Sequence, residues 1–345
     1  LCTAKSPAVV RANAAALADF LETRPHAGLP DTAFTLGIGR QHLPQRRFVV
    51  AGSGEEAVGR LREIAGQVVP PPKYVADRPV AFMSCGAGPH HADMARGLYE
   101  TEPLFRQAVD TGLSILDRMG VQDVRRWLFP NEADRGRAVD ELARPSIALP
   151  ALFLIQTALA RLWMSIGIQP SAMIGHSSGE YAAAHLAGVI DLEAGLRIVT
   201  TRGRLFETIS DGGMLSVPLS EAELQPLLTP ELSIAAINAP GLCVVSGPAT
   251  AIAHFHEQLA GREIEAQIVR ISVAAHSPML EPILPEFRSL MRTIDLHAPT
   301  IPFASNLTGD WVTADDVTNP EYWVRHLRET VRFTDGLHRL LDDGE

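Results

Sequence analysis

Cysteine is almost absent: the 345 residues carry three, Cys2, Cys85 and Cys243, odd in number and far apart. With no C-x-x-C pair and no Cys/His ladder, a disulfide framework and a structural zinc site are excluded, and a reducing cytosol fits. Positive charge is in deficit, 30 Lys and Arg against 40 Asp and Glu, for a formal net charge of −10. Surfaces for nucleic acid or anionic membrane need clustered positive charge, so neither partner is expected. An acidic substrate would have to be caught by a local basic group. Uninterrupted apolar runs are also lacking. The most apolar stretch, 147–168, is broken by Pro150, Gln156, Thr157 and Arg161, and no membrane span is expected. The first residues lack the charged, apolar, small-residue order of a signal peptide. They also lack a starting Met, so the chain reads as a segment of a longer cytoplasmic polypeptide. What is present is ordinary for a folded protein with a sizeable core: 46% hydrophobic and 20% charged residues.

Val10, Ala14, Leu17 and Leu21 recur at helical spacing behind Ser6-Pro7, a capping residue followed by proline at the first helical position. A strand over 47–51 and a helix over 55–64 follow. The Pro-rich run 69–73 then reads as a linker that sustains neither helix nor sheet. Residues 1–75 are thus expected to form a small α/β unit. The body opens with a strand over 79–83, a Gly-Ala-Gly-Pro loop at Gly86–Pro89, and helical segments over 94–119. A long apolar helix over 149–164, a short buried strand at Ala172–Gly175 and an Ala-rich helix over 180–189 follow. Strand, glycine-rich corner, helix is the grammar of a parallel sheet covered by helices. Between 212 and 271 the order becomes βαββαβ, the ferredoxin-like pattern. The remainder returns to helices over 280–291, 320–327 and 333–341. The expected fold is α/β: a large subdomain, 76–211 and 272–345, interrupted by a ferredoxin-like small subdomain, 212–271.

The sharpest chemical signal is Gly175-His176-Ser177-Ser178-Gly179, with a strand before it and a helix after. In that context G-x-S-x-G exposes a serine hydroxyl on a tight corner. The glycines let neighbouring chain pass, and the helix N-terminus faces developing oxyanion charge. A bare match arises by chance in Gly/Ser-rich loops; the strand–helix setting favours Ser177 as a nucleophile. Its base has to come from twelve histidines. His176 would project away from the hydroxyl, His254 and His256 lie on a helix of the insert, and His90 and His91 sit in the Gly86 loop. His276 lies where the insert rejoins the body, the place for a cleft between lobes, so it can face Ser177 from the opposite wall. Arg202, on the helix after the nucleophile's own, could clamp a carboxylate with two parallel hydrogen bonds. Spacing alone makes it an ordinary surface charge.

Several stretches taken together resemble the acyltransferase domain of a type I polyketide synthase, in the malonyl-CoA:acyl carrier protein transacylase family. They are GHSSGEYAAAHLAGVIDLEAGLRIVTTRGRLFE (Gly175 to Glu207), INAPGLCVVSGP (Ile237 to Pro248), AAHSPML (Ala274 to Leu280) and YWVRHLRETVRF (Tyr322 to Phe333). Residues 1–75 resemble the linker domain between ketosynthase and acyltransferase in such synthases. The resemblance implies an α/β-hydrolase-like large subdomain and a ping-pong transfer through an acyl-serine at Ser177, with His276 moving the proton. It implies that a backbone carbonyl, at the position matching His326, orients that histidine. Arg202 would pair with the free carboxylate of a malonyl-type group, and the backbone N–H groups of Ala87 and Ser178 would form the oxyanion hole. The implied partners are an acyl-CoA donor, an acyl carrier protein and a neighbouring ketosynthase. Neither a metal nor a redox cofactor is implied; CoA enters as part of the substrate.

The chain departs from the family near the chemistry. The usual Gly-Gln-Gly-Ser-Gln loop reads Gly86-Ala87-Gly88-Pro89-His90, and a second family glutamine is Leu149. A backbone donor survives the change at Ala87, and both changes make the cleft less polar. The four residues ending in the base read Val273-Ala274-Ala275-His276, matching neither the usual malonyl nor the usual methylmalonyl pattern. Phe206 stands where the family often has Met. Leu149, Phe206, Val273 and Ala275 are therefore the expected acyl-pocket residues, with malonyl-CoA favoured and an α-substituted malonyl-CoA as the alternative. A serine esterase or thioesterase using Asp191 or Asp211, and a scaffold with a decayed site, are the competing classes. The family also continues past the helix ending near Leu341 into another strand, so the chain is expected to stop short of that end.

Overall fold

The computed structural model describes residues 1–67, 78–209, 211–269 and 273–342, and the chain divides into two compact units, Leu1–Arg78 and Pro79–Glu345. The linker expected at 69–73 lies outside the described residues. So do residues 343–345 at the expected stop.

In the first unit β1 (Cys2–Ala4) leads into α1 (Pro7–Thr23), α2 (Leu29–Ile38), β2 (Gln45–Arg47) and α3 (Gly54–Gly66). Ser6 caps α1 by accepting the Val9 N–H at 3.4 Å, and Ser53 caps α3 by accepting that of Glu56 at 3.2 Å. Of the expected stripe Val10, Ala14 and Leu21 are buried, with Ala18 in place of the half-buried Leu17, in a small core against Ala57 and Leu61. Two expectations need correcting. The strand placed at 47–51 runs over Gln45–Arg47, antiparallel to β1. Helix α2 was not anticipated: none of its residues is buried, so no packed face imposes a periodic pattern on its sequence.

The second unit starts with β3 (Ala81–Ser84). The chain continues through α4 (Arg96–Thr101), α5 (Pro103–Arg118), α6 (Val124–Leu128), α7 (Arg135–Ala143) and α8 (Pro145–Ser165) to β4 (Ala172–Gly175), α9 (Gly179–Leu186) and α10 (Leu192–Phe206). By length and composition α8 could cross a membrane. In the fold it is a core helix: every residue from Ile147 to Ile155 is buried, including Pro150, which lies inside the helix and forgoes one N–H bond of its ladder.

The insert follows as β5 (Gly212–Val217), α11 (Glu221–Leu224), β6 (Ser233–Ala239), β7 (Leu242–Pro248), α12 (Ala249–Ala260) and β8 (Gln267–Val269). Its strands form an antiparallel sheet in the order β6-β7-β5-β8, the ferredoxin-like arrangement. The pleat sorts its side chains. Leu215, Val217, Ile234, Ile237 and Val245 join Ile252 and Phe255 of α12 in a separate core, and the intervening Met214, Ser216, Ala236 and Val244 line a cleft.

The chain returns through α13 (Leu284–Met291), β9 (Phe303–Ala304), α14 (Ala314–Val317), α15 (Pro320–Arg328) and α16 (Phe333–Asp342). Among the described residues the body's sheet is parallel, β3-β4-β9, with β4 in the middle. Two residues are too few for alternation to announce β9 in the sequence. The chain leaving the carboxyl end of β4 enters the Gly-His-Ser-Ser-Gly corner, the usual place for chemistry in a parallel sheet.

Candidate active site

Ser177 occupies the corner between β4 and α9 with φ +49°, a left-handed conformation that non-glycine residues seldom adopt. The flanking glycines are a steric requirement. A Cβ at Gly175 would lie 2.1 Å from the Glu180 nitrogen, and one at Gly179 would lie 2.3 Å from the Ser84 carbonyl oxygen. The corner fits only without those methyl groups.

Ser177 Oγ lies 2.7 Å from His276 Nε2, across 99 residues of chain. On the far side of the ring, His276 Nδ1 lies 2.8 Å from the Glu329 carbonyl oxygen. A carbonyl only accepts, so the imidazole proton sits on Nδ1, and Nε2 is free to take the hydroxyl proton. The orienting carbonyl is thus that of Glu329, not that of His326 as the resemblance implied. The reason is local geometry. α15 ends at Arg328, and Glu329 leaves it in extended conformation, φ −88° and ψ 166°, which turns its carbonyl out of the helix ladder. His326 is buried one turn earlier, its ring edge-on to those of Tyr181 and His276. The triad that an esterase would need is not assembled either: a backbone carbonyl faces Nδ1, and Asp191 is engaged as the cap of α10, accepting the Ala194 N–H at 2.7 Å.

Arg202 is buried, 2% exposed, where spacing alone suggested a surface charge. One guanidinium nitrogen, Nη2, donates to Ser177 Oγ at 2.9 Å. The guanidinium carbon sits 5.6 Å from the centre of the Tyr181 ring and 5.2 Å from that of Phe206, a favourable cation–π setting. Nε and Nη1 have no direct hydrogen-bond partner among the described residues. A buried cation without a counter-ion is costly unless something arrives to pair with it.

These groups open onto a cavity of about 740 Å³ lined by Ala87, Leu149, Ser178, Phe206, Val273 and Ala275, all singled out from the sequence, and by Met214 and Val244 from the insert, which were not. His90 also reaches it. His176 lines it too, but its Nε2 meets Asn238 Oδ1 at 2.8 Å, on the insert and away from the Ser177 hydroxyl. His91 bonds the Ala92 carbonyl in its loop, and His256 bonds that of Ala266 within the insert. Among the described residues no three His, Cys, Asp or Glu side chains converge as a metal site.

Burial, and after it the Arg202 charge, push His276 down to about 3 from its usual value near 6.5. Both disfavour the imidazolium, so the base stays neutral well below neutral pH. The kcat/KM for acylation, which reports the free enzyme, is expected to stay level as pH falls from 8 to about 5, where an ordinary histidine would be almost wholly protonated. A rate profile with its midpoint between pH 6 and 7 would contradict that basis. Ala87 lines the cavity; on the expectation that it contributes only a backbone N–H, Ala87→Gln should change turnover by less than about a hundredfold, the effect of removing one oxyanion donor.

The fold and the comparisons define an acyltransferase of α/β-hydrolase-like build. The acyl transferase domain family matches residues 81–345, and a second profile, the C-terminal part of CurL-like polyketide synthases, matches residues 1–61. The chain belongs to the acyl transferase domain family. It is 35% identical, over 99% of its length, to a phenolphthiocerol/phthiocerol polyketide synthase subunit of Mycobacterium tuberculosis, of which it spans 23%. It is 38% identical to the acyl transferase domain of ZmaA, with a TM-score of 0.89 over 99% of this chain and 79% of that one. It is also 38% identical to the acyl transferase domain of SpnD, solved with 2-(pent-4-yn-1-yl)malonyl, with a TM-score of 0.88 over 99% of this chain and 80% of that one.

Proposed function

We propose that this acyltransferase loads a malonyl-type group from CoA onto the phosphopantetheine thiol of an acyl carrier protein through an ester on Ser177. The observation that carries the reading is the buried Arg202, with no carboxylate partner among the described residues, beside a Ser177–His276 pair. Ser177 Oγ attacks the thioester carbonyl as His276 Nε2 takes its proton, and the carbonyl oxygen develops charge toward the Ala87 and Ser178 amides. The C–S bond breaks, and the proton passes from His276 to the departing CoA sulfur. The carrier thiol then repeats the sequence in reverse: His276 removes its proton, the sulfur attacks the ester, and Ser177 regains its hydrogen. Arg202 holds the far carboxylate throughout and fixes the acyl carbonyl against the serine.

Residues 1–75 are assigned to the linker that joins a preceding ketosynthase, 76–211 and 272–345 to the catalytic subdomain, and 212–271 to the insert that closes the cleft. Malonyl-CoA is the favoured donor. A second reading, an α-substituted malonyl-CoA, is supported by the small side chains of Ala148, Ala236 and Ala275 on the cavity wall. One added methylene in such a pocket changes discrimination by about 1–3 kcal/mol.

Intact-mass measurement after incubation with malonyl-, methylmalonyl- and longer alkylmalonyl-CoA tests this. The expected result is a single acyl adduct, fastest with malonyl, stable in water until a carrier thiol is supplied. Faster acylation by an alkylmalonyl donor replaces malonyl with the second reading. Rapid loss of the adduct without an acceptor points to an esterase. No adduct from any dicarboxylic donor points to a scaffold.

A further inference from the structure

We infer that Asn306 and Tyr322 are positioning residues for acyl transfer: together with Glu180 they form a buried hydrogen-bonded clamp that holds the Ser177 corner against its base. The inference rests on the acyltransferase reading above. None of the three touches the cavity, and none was singled out from the sequence.

Asn306 spans the corner with one side chain. Its Oδ1 accepts the Ser177 N–H at 2.6 Å, and its Nδ2 donates to the Gly175 carbonyl at 2.7 Å. The left-handed backbone of Ser177 is therefore fastened on both sides by a single amide. That amide is itself fixed: the Asn306 N–H donates to Glu180 Oε2 at 2.7 Å. The other oxygen of Glu180 bonds the Tyr322 hydroxyl, which also lies 2.8 Å from Ser305 Oγ. Asn306, Glu180 and Tyr322 are 2%, 0% and 5% exposed, so water is not available to replace a lost partner.

Tyr322 stands on α15, and the residue that follows this helix, Glu329, supplies the carbonyl that orients His276. One helix thus reaches both members of the pair, the serine through Glu180 and Asn306 and the histidine through the carbonyl just past its end. Burial pushes the Glu180 carboxyl up to about 8, so near neutral pH it is largely a neutral acid and the clamp carries little charge. A polar cluster that only filled the core would alter stability and leave the chemical step alone; a clamp on the serine backbone has to alter that step.

Single-turnover acylation of Ser177 by malonyl-CoA is compared with labelling by phenylmethylsulfonyl fluoride, in which Ser177 Oγ displaces fluoride from sulfur and no carboxylate is read. Tyr322→Phe and Asn306→Ala are expected to slow both reactions by a common factor of about ten to a hundred, the cost of a slightly misplaced reacting group. Half-saturating malonyl-CoA should move less than about twofold, because no substrate-binding group is touched. Glu180→Gln, which keeps an acceptor for the Asn306 amide, should be faster than Glu180→Ala. Rates within about threefold of the parent in folded Tyr322→Phe, or a loss confined to half-saturation, would overturn the clamp. Tyr322→Phe removes one hydroxyl and leaves no cavity, so it remains informative if Asn306→Ala does not fold. A parent protein that takes the sulfonyl label but never malonyl would overturn the donor reading while leaving the clamp open to the same comparison.

Discussion

His276→Ala is expected to slow acylation of Ser177 by about 10⁴-fold or more, and Ser177→Ala to abolish the adduct. Among the described residues no other base is hydrogen-bonded to the hydroxyl: Nε2 is 2.7 Å away, and the other group bonded to Oγ, Arg202, can only donate. Burst kinetics with malonyl-CoA, read by intact mass, check this. A His276→Ala protein that acylated within about tenfold of the parent would mean that the short contact is structural and another group takes the proton.

Arg202→Ala should lower acylation by malonyl-CoA about a hundredfold to a thousandfold, equivalent to roughly 3–4 kcal/mol for truncating one side of a buried charged pair. Acetyl-CoA, which has no far carboxylate, should lose far less, so the ratio of malonyl to acetyl adducts collapses. Arg202→Lys should fall between, since an ammonium keeps the charge and loses the planar fork. Stability should move the other way. The guanidinium is buried, has no carboxylate partner among the described residues, and is held below its ordinary pKa chiefly by that burial. An uncharged side chain of similar size, Arg202→Met, should therefore raise Tm while activity falls. Equal losses with malonyl-CoA and acetyl-CoA would show that the arginine serves the serine hydroxyl and not the acyl group.

Much of the site was legible because it is local. Ser177 stood out through two glycines and a strand-to-helix change within a few residues, and the clashes at Gly175 and Gly179 show why those spacings are obligatory. His276 could be chosen from twelve candidates because it follows the insert, whose elements give the βαββαβ order. Arg202 was ambiguous: nothing along α10 distinguishes a buried guanidinium from an exposed one. His326 was misassigned because a motif carries side-chain identities, whereas the orienting group is a main-chain carbonyl whose direction depends on where α15 ends. Asn306 and Glu180 left a weaker trace. Glu180 is a charge in an otherwise apolar, Ala-rich helix, and a fully buried carboxyl in that setting always needs partners.

The amino-acid order alone determined the apolar helices α1, α5 and α8, the βαββαβ order of the insert, and the strained corner that exposes a serine. Each depends on sterics and burial among residues close in the chain. Folding decided the rest. It set Ser177 beside groups 99, 25 and 129 residues away, turned the Glu329 carbonyl onto an imidazole 53 residues distant, and left Arg202 without a counter-ion among the described residues. Those distances belong to how layers pack, and a short stretch of sequence contains no information about what packs against it.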